Sequence, residues 1–162
     1  MIIGEAPGRR EIETGTPFIG ASGLLLGKAL QQAGSDPGSF YITNVFKGDV
    51  GEGNRNPSAA EIADHRDILE DEIKAVSPAA ILLLGSVATR QFVGGRYRMR
   101  EVVGREYYRG GPSFVPCYHP AATMYNHELL DTFYKTVEMF VDITKEHANG
   151  NKDRYPDRYR GV

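Results

Sequence analysis

Apolar and polar positions change period several times along the chain. Met1 to Ile3, Phe40-Tyr41-Ile42-Thr43-Asn44-Val45, Ala79 to Leu84 and Ser113-Phe114-Val115-Pro116-Cys117 are short runs of aliphatic, β-branched or aromatic residues. Such runs, closed by turn residues, predict strands buried on both faces, as parallel strands are. Between them the apolar residues recur at helical spacing. Leu24, Leu25, Ala29 and Leu30 form a stripe that stops near Gly34; Ile62, Ile68, Leu69, Ile73 and Val76 form a second. Ser58 followed by Glu61 is a capping box that starts the second stripe, with Pro57 before the cap. A short helix is predicted from about Ser86 to Val93, and Leu129, Leu130, Phe133, Val137, Phe140 and Val141 mark a last one. Strands alternating with helices imply right-handed crossovers and a sheet covered on both faces. The prediction is an α/β fold, a three-layer α/β/α sandwich around a central four-stranded, mostly parallel sheet.

Two stretches fit neither period. Lys47 to Asn56, with glycines at 48, 51 and 53, reads as a flexible loop directly after the second strand. Asn149 to Val162 is polar and rich in arginine and tyrosine, so the expected division is one domain over residues 1–148 and a tail over 149–162.

Composition narrows the class. With 162 residues, 41% hydrophobic and 25% charged, the chain suits one globular core. No apolar run is long enough to cross a membrane and no signal peptide opens the chain, so a cytoplasmic protein without membrane contact is expected. The single cysteine, Cys117, excludes an internal disulfide and a cysteine metal cluster, and its apolar surroundings predict a buried thiol. A net charge of -2 does not by itself point to nucleic acid. Arg96, Arg98, Arg100, Arg105 and Arg109 do share one segment with Tyr97, Tyr107 and Tyr108. A solvated hairpin or loop is the favoured reading of that segment, and a phosphate-binding patch the other.

The candidate chemistry lies in two loops. Gly4-Glu5-Ala6-Pro7-Gly8 follows the first strand and Tyr118-His119-Pro120-Ala121-Ala122 the last. In an open α/β sheet such loops converge on one crevice at the carboxyl ends of the strands, where ligands bind. The run continues as Arg9-Arg10-Glu11, Thr14-Gly15-Thr16-Pro17-Phe18-Ile19-Gly20 and Ala21-Ser22-Gly23-Leu24-Leu25. It resembles the first motif of the family-4 uracil-DNA glycosylases. The resemblance extends through Asn44-Val45, Gly53-Asn54-Arg55-Asn56-Pro57, Leu84-Gly85 and the His119 loop, over roughly residues 1 to 145.

The resemblance implies a monofunctional glycosylase that flips a base out of DNA and hydrolyses its bond to deoxyribose, leaving an abasic site without a cofactor. It implies three catalytic residues. His119 would donate a hydrogen bond to the base oxygen that becomes negative, and Glu11 would orient water or balance the oxocarbenium-like sugar. Glu5 would line the pocket with Ala6, Pro7 and Gly8. Phe18 would stack on the base and Asn44 would read its pyrimidine edge. Arg9, Arg10 and Arg55 would track phosphates, and Met124 or Tyr125 would fill the gap left by the flipped base. A monomer acting on single- or double-stranded DNA is expected.

The chain also departs from that pattern. Typical family-4 members hold an iron-sulfur cluster on four cysteines; two of those positions fall at Gly48 and His65, so loss of the cluster is expected. Ala6 stands where related families carry a water-activating aspartate, and no lysine of these motifs suggests a Schiff base. Three other readings remain open: excision of another modified base, a DNA-binding module without turnover, and a nucleotide enzyme with a glycine-loop phosphate cradle. Pro7, which lacks an amide donor, weighs against the cradle.

Overall fold

The computed structural model describes residues 1–51, 55–94, 96–108 and 110–149. Five strands form one sheet in the order β2-β1-β3-β5-β4. They are β1 (Ile2–Gly4), β2 (Ile42–Asn44), β3 (Ala80–Leu84), β4 (Tyr107–Tyr108) and β5 (Ser113–Cys117). All neighbours are parallel except β4, which pairs antiparallel with β5. The chain leaves β1 for β2 on one side and then crosses to β3 on the other. That reversal opens a crevice beyond the strand ends.

Strand alternation sorts the core into two layers. Ile2, Leu82, Leu84, Val115 and Cys117 face α2 (Ala21–Gln32) and α8 (Leu130–Ala148), where Leu26, Leu30, Phe133, Val137 and Phe140 are buried. Ile3, Ile81 and Leu83 face the opposite way, toward α3 (Ala59–Asp64), α4 (Arg66–Val76) and α5 (Gly85–Phe92). Three short helices complete the fold: α1 (Arg9–Thr14), α6 (Met99–Val102) and α7 (Pro120–Tyr125). No helix among the described residues is long and apolar enough to cross a membrane.

The sheet has one strand more than expected. β4 is two residues long and lies in the arginine-tyrosine segment, where charges hide any strand period. Tyr97 and Tyr107 of that segment pack on the core, while Arg96, Arg98, Arg100 and Arg105 are exposed; Arg109 lies outside the described residues. The second helical stripe is two helices, not one. The Ser58–Glu61 capping box starts α3 as expected, but the chain turns at His65 before α4. The turn aligns Leu69, Ile73 and Val76, spaced by four and three, with the sheet and leaves Ile68 50% exposed. Likewise Leu26, Ala29 and Leu30 carry the buried face of α2, and Leu24 points outward at 74% exposure. Of the expected tail only Asn149 is among the described residues.

Candidate active site

A cavity of about 400 Å³ opens at the carboxyl ends of β1, β2 and β5. It gathers Glu5, Ala6, Pro7, Gly8, Glu11, Phe18, Asn44, Arg55 and His119 in one wall. All three expected catalytic residues and all five expected base-contacting residues therefore meet in one place.

Close backbone approach sets the floor. A Cβ on Gly4 would collide with Asn44 Oδ1 and lie 2.9 Å from Phe18 Cζ, so the bare backbone of β1 lets both side chains cross the strand end. Phe18 has a positive φ of 55°, a conformation that costs an aromatic residue roughly 1–2 kcal/mol. Its carbonyl turns over Gly23, where any side chain would collide with that oxygen. The strained turn keeps the Phe18 ring 6.4 Å from the His119 ring, tilted by 36°. Phe18 also packs on the α2–α8 core, so one ring serves both core and cavity.

Asn44 is 7% exposed, and its Oδ1 is buried without a hydrogen-bond partner. An orphaned buried acceptor costs about 1–3 kcal/mol, which a ligand donor recovers. His119 caps α7: its Nδ1 accepts the Ala121 N–H at 3.2 Å. The neutral ring must then carry its proton on Nε2 and present a donor. Burial holds the imidazole below its usual range, which keeps it neutral at pH 7.

The two carboxylates differ. Glu5 is half-buried, and desolvation raises its carboxyl above the ordinary value. Its backbone carbonyl accepts the Phe46 N–H at 3.0 Å, tying the first loop to the second. Glu11 Oε1 accepts the Gly20 N–H at 3.0 Å, at the residue that caps α2. Its Oε2 lies against Gly8, where a side chain would collide with it. Glu11 thus clasps the two halves of the first loop and keeps one oxygen at the cavity wall.

The expected phosphate contacts divide. Arg9 and Arg10 are exposed on α1, and Arg9 pairs with Glu13 at 3.3 Å. Arg55 is held by both oxygens of Glu61, at 2.8 and 2.6 Å. Those bonds and the Ser58 cap hold the Glu61 carboxyl well below the usual carboxylate range. Met124 is 45% exposed and Tyr125 91% exposed. Tyr125 stands one helical turn beyond Ala121, which lines the cavity.

Sequence reading missed Val50, which is 8% exposed and lines the cavity from the loop expected to be flexible. An apolar residue inside a polar, glycine-rich stretch was the available signal. It also missed how that loop is fastened. Lys47 N–H donates to His65 Nδ1 at 2.9 Å, and the His65 ring stacks on Phe46 at 4.7 Å.

These positions do not suit an iron-sulfur cluster. Gly48 offers no ligand, His65 Nδ1 is engaged, and Cys117 is buried in β5, where desolvation pushes its thiol far above the ordinary range.

A family model described as the Uracil DNA glycosylase superfamily matches residues 1–146. The chain belongs to the uracil-DNA glycosylase superfamily. It is 34% identical over 165 residues to the type-4 uracil-DNA glycosylase of Pyrobaculum aerophilum, covering 97% of this chain and 80% of that protein. The type-4 uracil-DNA glycosylase of Thermotoga maritima is 34% identical over 128 residues, covering 78% of this chain and 66% of that protein. The type-4 uracil-DNA glycosylase of Sulfurisphaera tokodaii is 32% identical over 174 residues, with 98% and 79% covered.

Proposed function

We propose that this protein is a uracil-DNA glycosylase that hydrolyses the bond between uracil and deoxyribose in DNA and leaves an abasic site. The observation that carries this reading is the pairing of an orphaned buried acceptor, Asn44 Oδ1, with a neutral His119 whose Nε2–H is the free donor. A uracil edge offers a ring N–H to the first and a carbonyl oxygen to the second. Phe18 supplies the stacking surface between them.

In this reading the flipped base leaves with the electron pair of the broken C1′–N1 bond, and negative charge grows on its carbonyl oxygen. His119 stabilises that charge by hydrogen bonding and keeps its proton. The Glu11 oxygen at the wall balances the cationic sugar and orients the attacking water, whose proton passes to a carboxylate or to solvent. Glu5 and the Ala6-Pro7-Gly8 backbone close the pocket around the base. Arg9 and Arg10 meet phosphates, and Tyr125, with nine-tenths of its surface exposed beside the cavity, wedges the gap in the stack.

The test is release of free base from oligonucleotides carrying a single uracil, cytosine, thymine or hypoxanthine, followed by alkaline cleavage at the abasic site. Uracil alone is expected to be released, and Asn44→Asp should admit cytosine by changing the acceptor pattern. Uracil left intact in both single- and double-stranded oligonucleotides would overturn the reading.

A further inference from the structure

The main-chain carbonyl of Asn44 is held from outside the cavity. Lys47 turns its ammonium back toward the end of β2 and donates to the Asn44 carbonyl at 2.7 Å, to Thr43 Oγ1 at 2.5 Å and to Glu72 Oε2 at 2.5 Å. Thr43 Oγ1 donates in turn to Glu72 Oε2 at 3.0 Å. All three ammonium protons have acceptors, so the geometry is fully satisfied. The Lys47 and Glu72 side chains are only 21% and 20% exposed, which weakens solvent screening of the pair. None of Lys47, Thr43 and Glu72 lines the cavity. β2 is the edge strand of the sheet, and the backbone bonds that continue from β1 past Asn44 come from Val45 N–H to the Gly4 carbonyl and Phe46 N–H to the Glu5 carbonyl, so the Asn44 main-chain carbonyl points away from β1. The ammonium meets that carbonyl on the open edge of the sheet.

We propose that Lys47, anchored by Glu72 and Thr43, is a positioning residue for base recognition: it locks the Asn44 carbonyl and so aims the Asn44 side chain at the base. This rests on the function proposed above. Lys47 acts through Asn44 and touches no substrate. A compact ammonium with three donors suits three acceptors converging on one point, whereas the planar fork of arginine does not.

A double-mutant cycle in single-turnover uracil release tests it. Lys47→Met should slow release about tenfold in the native background but less than about twofold once Asn44 is alanine, because coupled residues are not additive. Equal losses in both backgrounds would overturn the proposal. A second readout needs no turnover. The side-chain amide resonances of Asn44, assigned by their loss in Asn44→Asp, should move in Lys47→Met and stay in place in Val141→Ala, which loosens the core under α8. Resonances that do not move in Lys47→Met would also overturn it. If Lys47→Met does not fold, Lys47→Arg serves both measurements, with an expected loss of about threefold that again vanishes with Asn44→Ala. Native protein that releases no uracil while the amide resonances do move would refute the proposed function and leave the positioning role standing.

Discussion

The loop after β1 and the loop after β2 face each other across one cavity, and they are held by opposite means. Apart from the Glu11 clasp, the first is shaped by missing side chains: Gly4 lets Asn44 and Phe18 cross the strand end, and Gly23 lets the Phe18 carbonyl fold over α2. The second is shaped by side chains that reach back, with Lys47 bound to Glu72, Thr43 and the Asn44 carbonyl, and His65 bound to the Lys47 amide. A steric device has no partial setting, since one added methyl group must displace backbone or an aromatic ring. A hydrogen-bonded device loses one bond at a time. Substitutions in the first loop should therefore be abrupt, and those in the second graded.

The largest effect is expected from Gly4→Ala. Its Cβ collides with Asn44 and Phe18, the two side chains proposed to contact the base, so uracil release should fall at least about a hundredfold, with overpacking costing about 1–3 kcal/mol of stability. Steady activity with an unchanged melting midpoint would break the contrast between the loops. Next come His119→Ala and Glu11→Gln, each expected to slow single-turnover release by about a hundredfold. Glu11→Gln is the sharper of the two, because the amide oxygen can still accept the Gly20 N–H and only the charge is removed. If Glu11→Gln retains full rate, Glu11 is a clasp for the first loop and nothing more.

A smaller effect concerns pH. Burial lowers the His119 pKa below its ordinary value of 6.5, so the ring stays neutral, with Nδ1 free to cap α7, as the pH falls into the range where exposed histidines protonate. The stability linked to His119 is fully present above the unfolded value and is lost as pH falls through the folded one. Activity should persist into the range where exposed histidines are charged and fail together with stability at lower pH; pH profiles of release and of thermal melting check this. His119→Asn, which retains a cap, should remove that step from the melting profile. The smallest effect is Ser58→Ala at the far end of the second loop, where loss of the α3 cap should cost about 1 kcal/mol in a urea titration and leave the rate unchanged.

The layers of the sandwich were readable because long stripes such as Phe133, Val137 and Phe140 carry a period that only one structure satisfies. The cavity residues were readable as motifs at strand ends. What escaped was set by contacts distant in sequence. A two-residue edge strand such as Tyr107–Tyr108 is too short to show alternation. The break at His65 carries no helix-stopping residue and coincides with a bond to Lys47, eighteen residues away. The Lys47–Glu72 pair spans twenty-five residues and has no period at all. Val50 was hidden because polar, glycine-rich neighbours suggested mobility, yet it is buried against the cavity.

Cys117 gives the molecule a built-in clock. It closes β5, pairs in register with Leu84, is wholly enclosed, and lies two residues before His119. A thiol-specific alkylating reagent reaches it only when α2 and α8 lift from the sheet or β5 leaves it, so the labelling rate counts openings of that layer beside the His119 loop. The chain has no other thiol, so the count comes from a single site. Slower labelling in the presence of abasic DNA would then measure how far bound DNA suppresses those openings.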